Sequence, residues 1–250
     1  MSDTVQTISL LNLMLVFIPV FLVVGILWKW SLAPGNAAYA LGRMLVQLLL
    51  IGYFLMYIFE AENSLIVIAV LVVMVTVSSW IALGTVKTRR TTLYRQALVA
   101  ILVGGGIVLF IVTQGVLQLD PWYLPQYMVP LAGMVFANSM NAVSLAAERM
   151  NAELARQMNF HQARNIAMHA AMIPIINSML AVGLVSLPGM MTGQILSGIS
   201  PLVAARYQIV ADCRQHYFWK CQGSSLRCLW KRIRETFGSF LTQESYELTP

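Results

Sequence analysis

An all-α, polytopic transmembrane helix bundle of about six spans, the last of them broken by proline and glycine, is the fold class that three observations predict. First, 58% of the 250 residues are hydrophobic and only 10% are charged, against about 25% charged in a typical soluble protein. Second, the apolar residues gather in runs close to the ~20 residues that cross a bilayer core. Third, residues 165–205 contain no Asp, Glu, Lys or Arg, yet they include Pro174, Gly183, Pro188, Gly189 and Gly193. Such residues break or kink helices. Broken helices survive at membrane depth only where protein or a water-lined cavity satisfies the freed backbone groups. That arrangement is common at transporter sites. A kinked span packed against its neighbours is the other reading.

The spans follow in order. Residues 8–28 form the first, with a kink at Pro19, and 37–59 the second, with Arg43 near its start, where a long side chain snorkels to the interface. Residues 64–84 form the third. Residues 97–117 form the fourth and carry Gly104, Gly105 and Gly106, a place for close helix approach or a bend. Residues 122–147 form the fifth, interrupted near its start by Pro125 and Pro130, and 169–199 the sixth, broken one. The run 8–28 is too long for a signal-peptide core and Asp3 stands where a positive charge belongs, so no secretory leader is expected.

The net charge of +6 sits in short connections, which reads as a topology signal rather than a nucleic-acid surface. Lys29, then Lys87, Arg89, Arg90 and Arg95, then Arg149, Arg156 and Arg164 alternate with Glu60, Glu62 and Asp120. Lys and Arg mark the cytoplasmic side, so the N-terminus is expected outside and 148–168 inside, in a cell inner (plasma) membrane. Residues 8–210 are expected to form one membrane domain. The segment 211–250 breaks the order, because six spans leave it outside although it carries Arg214, Lys220, Arg227, Lys231, Arg232 and Arg234. It is expected not to span the membrane, as a lost last helix or as an amphipathic cytoplasmic tail. Its Cys213, Cys221 and Cys228 match no zinc spacing and are read as free thiols.

Asn138, Asn141, Leu145 and Glu148 follow i, i+3, i+7, i+10 and share one helix face. Two readings stand for this polar stripe: a substrate path, or interhelical hydrogen bonding of the kind Ser139 and Ser144 also make. Asn177, Ser186, Thr192 and Gln194 could face the same interior. The 15 methionines suit packing, although thioether sulfur also suits Cu(I) better than ferric iron. His161 and His169 flank Arg164 in a charged connection and are read as solvated. No phosphate-binding glycine loop precedes any of the four lysines, and no catalytic constellation appears.

Three blocks carry a resemblance. These are Val182 to Leu196 with the upstream Ala171–Met179, Val129 to Arg149, and Gly42–Gln47 through Ile51–Tyr53. Over roughly residues 10–210 the chain resembles the membrane subunit of FetB-type ABC transporters, bacterial iron-export permeases that share a family with plant aluminium-tolerance permeases. The resemblance implies an exporter of metal ions, iron first, paired as a homodimer with separate ATPase subunits that use the ATP, and no cofactor on this chain. On the path reading of the polar residues, Asn138, Asn141, Asn177 and Gln194 lie along the substrate path, and the helix breakers Pro174, Gly183, Pro188 and Gly189 form a broken-helix hinge. The resemblance also implies that Glu148, Arg149, Glu153, Arg156 and Arg164 belong to the loop that docks the ATPase. The family carries an acidic stretch and a Leu-Gly-Ala turn in that loop. Here no glycine occurs between Gly133 and Gly183, so the coupling element is clipped. The alternative is a transport-inactive membrane scaffold.

Overall fold

The structure, a computed structural model, describes residues 9–15, 17–29, 34–60, 63–86 and 90–212. The three cysteines, the basic tail beyond Asp212 and residues 87–89 lie outside the described residues. Among the described residues the secondary structure is helical, with a single isolated bridge between Val182 and Ser186. The helices are α1 (Leu10–Leu15), α2 (Phe17–Lys29), α3 (Pro34–Glu60), α4 (Ser64–Ala82), α5 (Arg90–Phe110), α6 (Pro125–Ala155), α7 (Phe160–Ala181), α8 (Gly189–Leu196) and α9 (201–212). A π-helical segment, Ile111–Val116, extends α5. This is a polytopic helical membrane protein: α3 from Tyr39, α4, α5 with its π segment, and α6 are each long and apolar enough to cross a bilayer.

Contacts divide the chain into two units, Met1–Glu62 with Leu196–Gly198 and Asn63–Ile195 with Ile199–Pro250. In the first, α2 packs on α1 and α3. In the second, α6 is the axis: α4, α5 and α7 all pack on it, and α4 also packs on α5. One core runs through these four helices, from Val67 and Val75 on α4, through Ala97, Ile101 and Val108 on α5, to Val143 and Met150 on α6 and Ala163, Ala167 and Ala171 on α7. α9 adds Ala204 and Ala211, both buried, and Val210 packs against the core.

Small residues set the approach distances. Lipid tails are as apolar as Leu, so helices in a membrane associate by close packing rather than by escaping water. A Cβ placed on Gly105 would come 2.9 Å from Phe136 and 3.1 Å from Val135 of α6, so any other residue here forces those side chains to shift or the helices to part. Ala163, Ala167 and Ala171 recur every four residues on one face of α7 and are all buried. Local signals fix the helix ends. The Asn63 side chain accepts from the Leu65 N–H at 2.9 Å and Asn159 accepts from the His161 N–H at 3.1 Å, each capping the first turn of its helix. At the other end of α4, Arg90 donates through Nε to the Trp80 carbonyl at 3.0 Å and also through Nη2, and its guanidinium lies 3.7 Å over the Trp80 ring. A cation there satisfies an open helix-terminal carbonyl.

Several sequence expectations are corrected. Pro125 does not interrupt α6. It stands at the first turn, where its missing N–H costs nothing, and the helix runs on through Pro130. α5 starts at Arg90, not at residue 97. The segment 148–168 is not a loop: α6 runs to Ala155 and α7 begins at Phe160. Residues 156–159 turn without glycine because Gln157 takes the left-handed conformation, φ +59°. The sixth span is broken, as expected, but at the Gly183–Pro188 turn rather than at Pro174: α7 runs continuously through Pro174 to Ala181, and the short α8 follows the turn.

Candidate functional site

The site grows from the α6/α7 hairpin. Its two antiparallel helices share the short turn at 156–159, so positions equally far from the turn lie opposite one another. The two helices line two cavities. The cavity far from the turn, about 230 Å³, is lined by Asn138, Asn141 and Leu145 of α6 and by Ala171, Pro174, Ile175 and Ser178 of α7. The one near the turn, about 680 Å³, is lined by Leu145, Glu148, Arg149 and Ala152 and by Asn165, Ile166, His169 and Ile173. Leu145 lines both cavities. The stripe Asn138, Asn141, Leu145, Glu148 therefore borders one cavity or the other over its whole length.

Not every candidate residue gathers there. Asn177 is exposed on α7 and lines neither cavity. Gln194 lies on α8, its Oε1 buried with no hydrogen-bond partner among the described residues. The hinge set separates in the same way. Pro174 lines the far cavity within an unbroken α7, while Gly183 and Pro188 lie in the turn that follows and Gly189 opens α8. Gly183 has φ +81° there. The Gly183 N–H reaches the Ser186 carbonyl at 3.0 Å, and those of Val185 and Ser186 reach the Ala181 carbonyl at 2.8 and 3.1 Å. The turn thus satisfies its own backbone donors, as irregular backbone near a membrane must. Its side chains stay uncovered, with Leu184 at 90% and Val185 at 84% exposure.

The charged residues at the hairpin end form a cluster rather than a row. Glu153 is 2% exposed. Its Oε1 accepts from Arg149 at 2.8 Å and lies 3.6 Å from Arg156. Its charge faces these two arginines rather than outward, and Arg156, 68% exposed, is the outermost of the three. Arg164 donates to Asn165 at 3.2 Å. Glu148 lines the cavity near the turn beside Arg149.

The sequence reading did not bring His169 and Asn165 into the site. The signal was their i, i+4 spacing on the face of α7 away from Ala163, Ala167 and Ala171. Among the described residues no group of three or more His, Cys, Asp or Glu is placed to hold a metal ion.

Residues 10–212 match the model of the Uncharacterised protein family (UPF0014). Among curated proteins, the chain is 36% identical to UPF0014 membrane protein slr1647 of Synechocystis, over 73% of this chain and 76% of that protein. It is 30% identical to the "Probable iron export permease protein FetB" of Escherichia coli, over 69% and 71%. It is 32% identical to Protein ALUMINUM SENSITIVE 3 of Arabidopsis thaliana, over 70% and 68%. No solved structure matches. With four apolar spans, a family match over residues 10–212 and relatives that are themselves membrane proteins, the chain belongs to the UPF0014 family of helical membrane proteins.

Proposed function

We propose that this chain is the permease subunit of an ABC transporter that exports metal ions, iron first, and that a separate ATPase subunit supplies the energy. The observation that carries this reading is the pair of cavities along α6 and α7, which share Leu145, with Asn138, Asn141 and Ser178 lining one and Glu148, Asn165 and His169 the other. Polar side chains in membrane helices face the bundle interior or a water-filled path. The likeness to a relative named as an iron export permease points the same way. In this reading two copies pair, ATP is used by the partner subunit, and the substrate moves by alternating access along α6 and α7. Asn177 and Gln194 join the path once the α7–α8 turn moves, with Gly183, Pro188 and Gly189 as the hinge. The ATPase docks at the hairpin end, against Arg149, Arg156 and Arg164. That end lies in the cytoplasm and the N-terminus lies outside, in the cell inner membrane.

The test is co-purification with the candidate ATPase, followed by ATPase assay of the complex in nanodiscs with Fe(II). Metal-stimulated turnover that falls in Asn138→Leu and Asn141→Leu, at normal expression, supports the reading. Equal loss of folded protein and of turnover assigns both residues to packing instead. A single cysteine at Asn159 should resist an impermeant thiol reagent in whole cells of a strain whose copy lacks the native three. Ready labelling there reverses the orientation.

A second reading is a transport-inactive membrane scaffold. The four-residue connection 156–159 favours it, because it leaves little surface between α6 and α7 for an ATPase to grip. Failure of any ATPase to co-purify would select it.

A further inference from the structure

We infer that the cavity near the turn binds one membrane phospholipid with a zwitterionic headgroup, its phosphate on Arg149 and its ammonium on Glu148. The inference goes beyond the permease reading and does not depend on it. Its first support is depth. Residues 125–147 and 165–205 contain no Asp, Glu, Lys or Arg, so Glu148, Arg149 and Arg164 are the first charges met on leaving two apolar runs. Charges at that position mark the headgroup level of a bilayer.

The cavity is polar at that level and apolar beyond it. Arg149 and Glu148 lie six and seven residues before Ala155, and Asn165 five after Phe160, which is ~8–11 Å from the turn at 1.5 Å per residue. Leu145 lies ten before Ala155 and Ile173 thirteen after Phe160, ~15–20 Å from the turn on the same rise. All five line the one cavity of about 680 Å³, within the ~300–1,000 Å³ of ligand sites. A soluble ion gains nothing from the apolar end. A phospholipid has its glycerol backbone and first acyl carbons at that depth.

Charge decides the headgroup. Glu153 is the carboxylate for both Arg149, at 2.8 Å, and Arg156, at 3.6 Å. One negative charge against two positive ones leaves a net positive charge, and the Arg149 side chain is 43% exposed. A guanidinium matches a phosphate through paired N–H donors, and basic pockets between membrane helices take lipid phosphates. The Asn165 Oδ1 accepts from Arg164 at 3.2 Å, which leaves its Nδ2 as a further donor. Glu148 is exposed and forms no ion pair among the described residues. It repels a purely anionic headgroup and pairs with the ammonium of a zwitterionic one. Arg156 does not line the cavity and stays with the docking end.

The experiment equilibrates the full-length protein in mild detergent with phosphatidylethanolamine or phosphatidylglycerol, each alone, and counts retained lipid by native mass spectrometry. One phosphatidylethanolamine per chain is expected, held ~fivefold better than phosphatidylglycerol, as fits one partly exposed ion pair. Glu148→Gln should erase that preference, so that the two lipids are retained alike. Arg149→Gln should lose both lipids, and Arg149→Lys should recover part of the retention. If Arg149→Gln yields no folded protein, Glu148→Gln decides alone. Equal retention of the two lipids by the wild type, retention of neither, or an unchanged preference in Glu148→Gln overturns the site. The assay contains no ATPase and no metal ion, so its failure leaves the permease reading standing, and its success holds even if that reading falls.

Discussion

α3 and α6 both cross the membrane by length and composition, yet they live in different surroundings. α3 has 6% of its span buried and carries Leu49, Tyr53, Met56 and Tyr57 outward. α6 has 50% of its span buried, although it is the least apolar of the four spans. In water the more apolar helix would be the more buried one. In a bilayer the solvent is itself apolar, so apolarity decides only that a helix inserts, and the pattern of small and polar residues decides what it packs against. α6 alternates Ala132, Ala142, Ala146 and Ala147 with Ser139 and Glu153, all buried, whereas α3 is dominated by large aliphatic and aromatic side chains.

The sharpest way to break this comparison is one substitution made in both helices. Met150→Ala, at 0% exposure, should cost ~2–5 kcal/mol, toward the lower end because the lipid reference removes most of the transfer contribution. Met56→Ala, at 66% exposure, should stay within ~0.5 kcal/mol. SDS unfolding titrations of the purified protein would show it, and equal shifts would mean that α3 is as tightly packed as α6.

A smaller effect probes the approach of α5 to α6. Gly105→Val should cost ~1–3 kcal/mol by overpacking against Phe136. Gly106→Val, with nothing within 4 Å, should retain the wild-type thermal midpoint in detergent. Similar losses for the two would remove Gly105 as the contact point.

Smaller again is the buried charge. Glu153→Ala strips the partner from Arg149 and Arg156, whose side chains are 43% and 68% exposed. The solvent available to both arginines reduces the loss to ~1–2 kcal/mol, below the range for a fully buried pair. The check is the detergent melting midpoint of Glu153→Ala against Glu153→Gln, which should recover part of the loss by keeping the shape.

The smallest effect belongs to Ser79, whose Oγ donates at 2.7 Å to the Val75 carbonyl of its own helix. That carbonyl already serves the helix ladder, so Ser79→Ala should change stability by less than ~0.5 kcal/mol. A loss above 1 kcal/mol in the same assay would mean that Ser79 supports α4 against a neighbour.

Much of this architecture is legible in the sequence, for identifiable reasons. α4 announces itself through an unbroken apolar run with Asn63 at its start, whereas Pro125, which reads as an interruption, is the first residue of α6. The cavity-lining face of α6 is legible because Asn138, Asn141 and Glu148 keep helical spacing. Its partner face on α7 is not, because Ile166, His169 and Ile173 mix apolar and polar residues, and His161 to Arg164 read as loop. Only the alanines at 163, 167 and 171 betray a packed helix there. Pro174 misleads in the opposite sense, since a helix held by neighbours carries an internal proline.

The π-helical segment at Ile111–Val116 gives one helix a slack the others lack. In an α-helix, removal of one residue rotates everything beyond it by ~100° and turns a buried face outward. Here the wider ring is already closed, with the Leu117 N–H on the Val112 carbonyl at 2.9 Å. One residue is therefore held in excess of the α-helical count. A single deletion within 111–116 would tighten this turn to the ordinary ladder and leave the register of Val108 and Leu109 against the core untouched. Among the described helices, this is where the chain length can change by one without a change of partner.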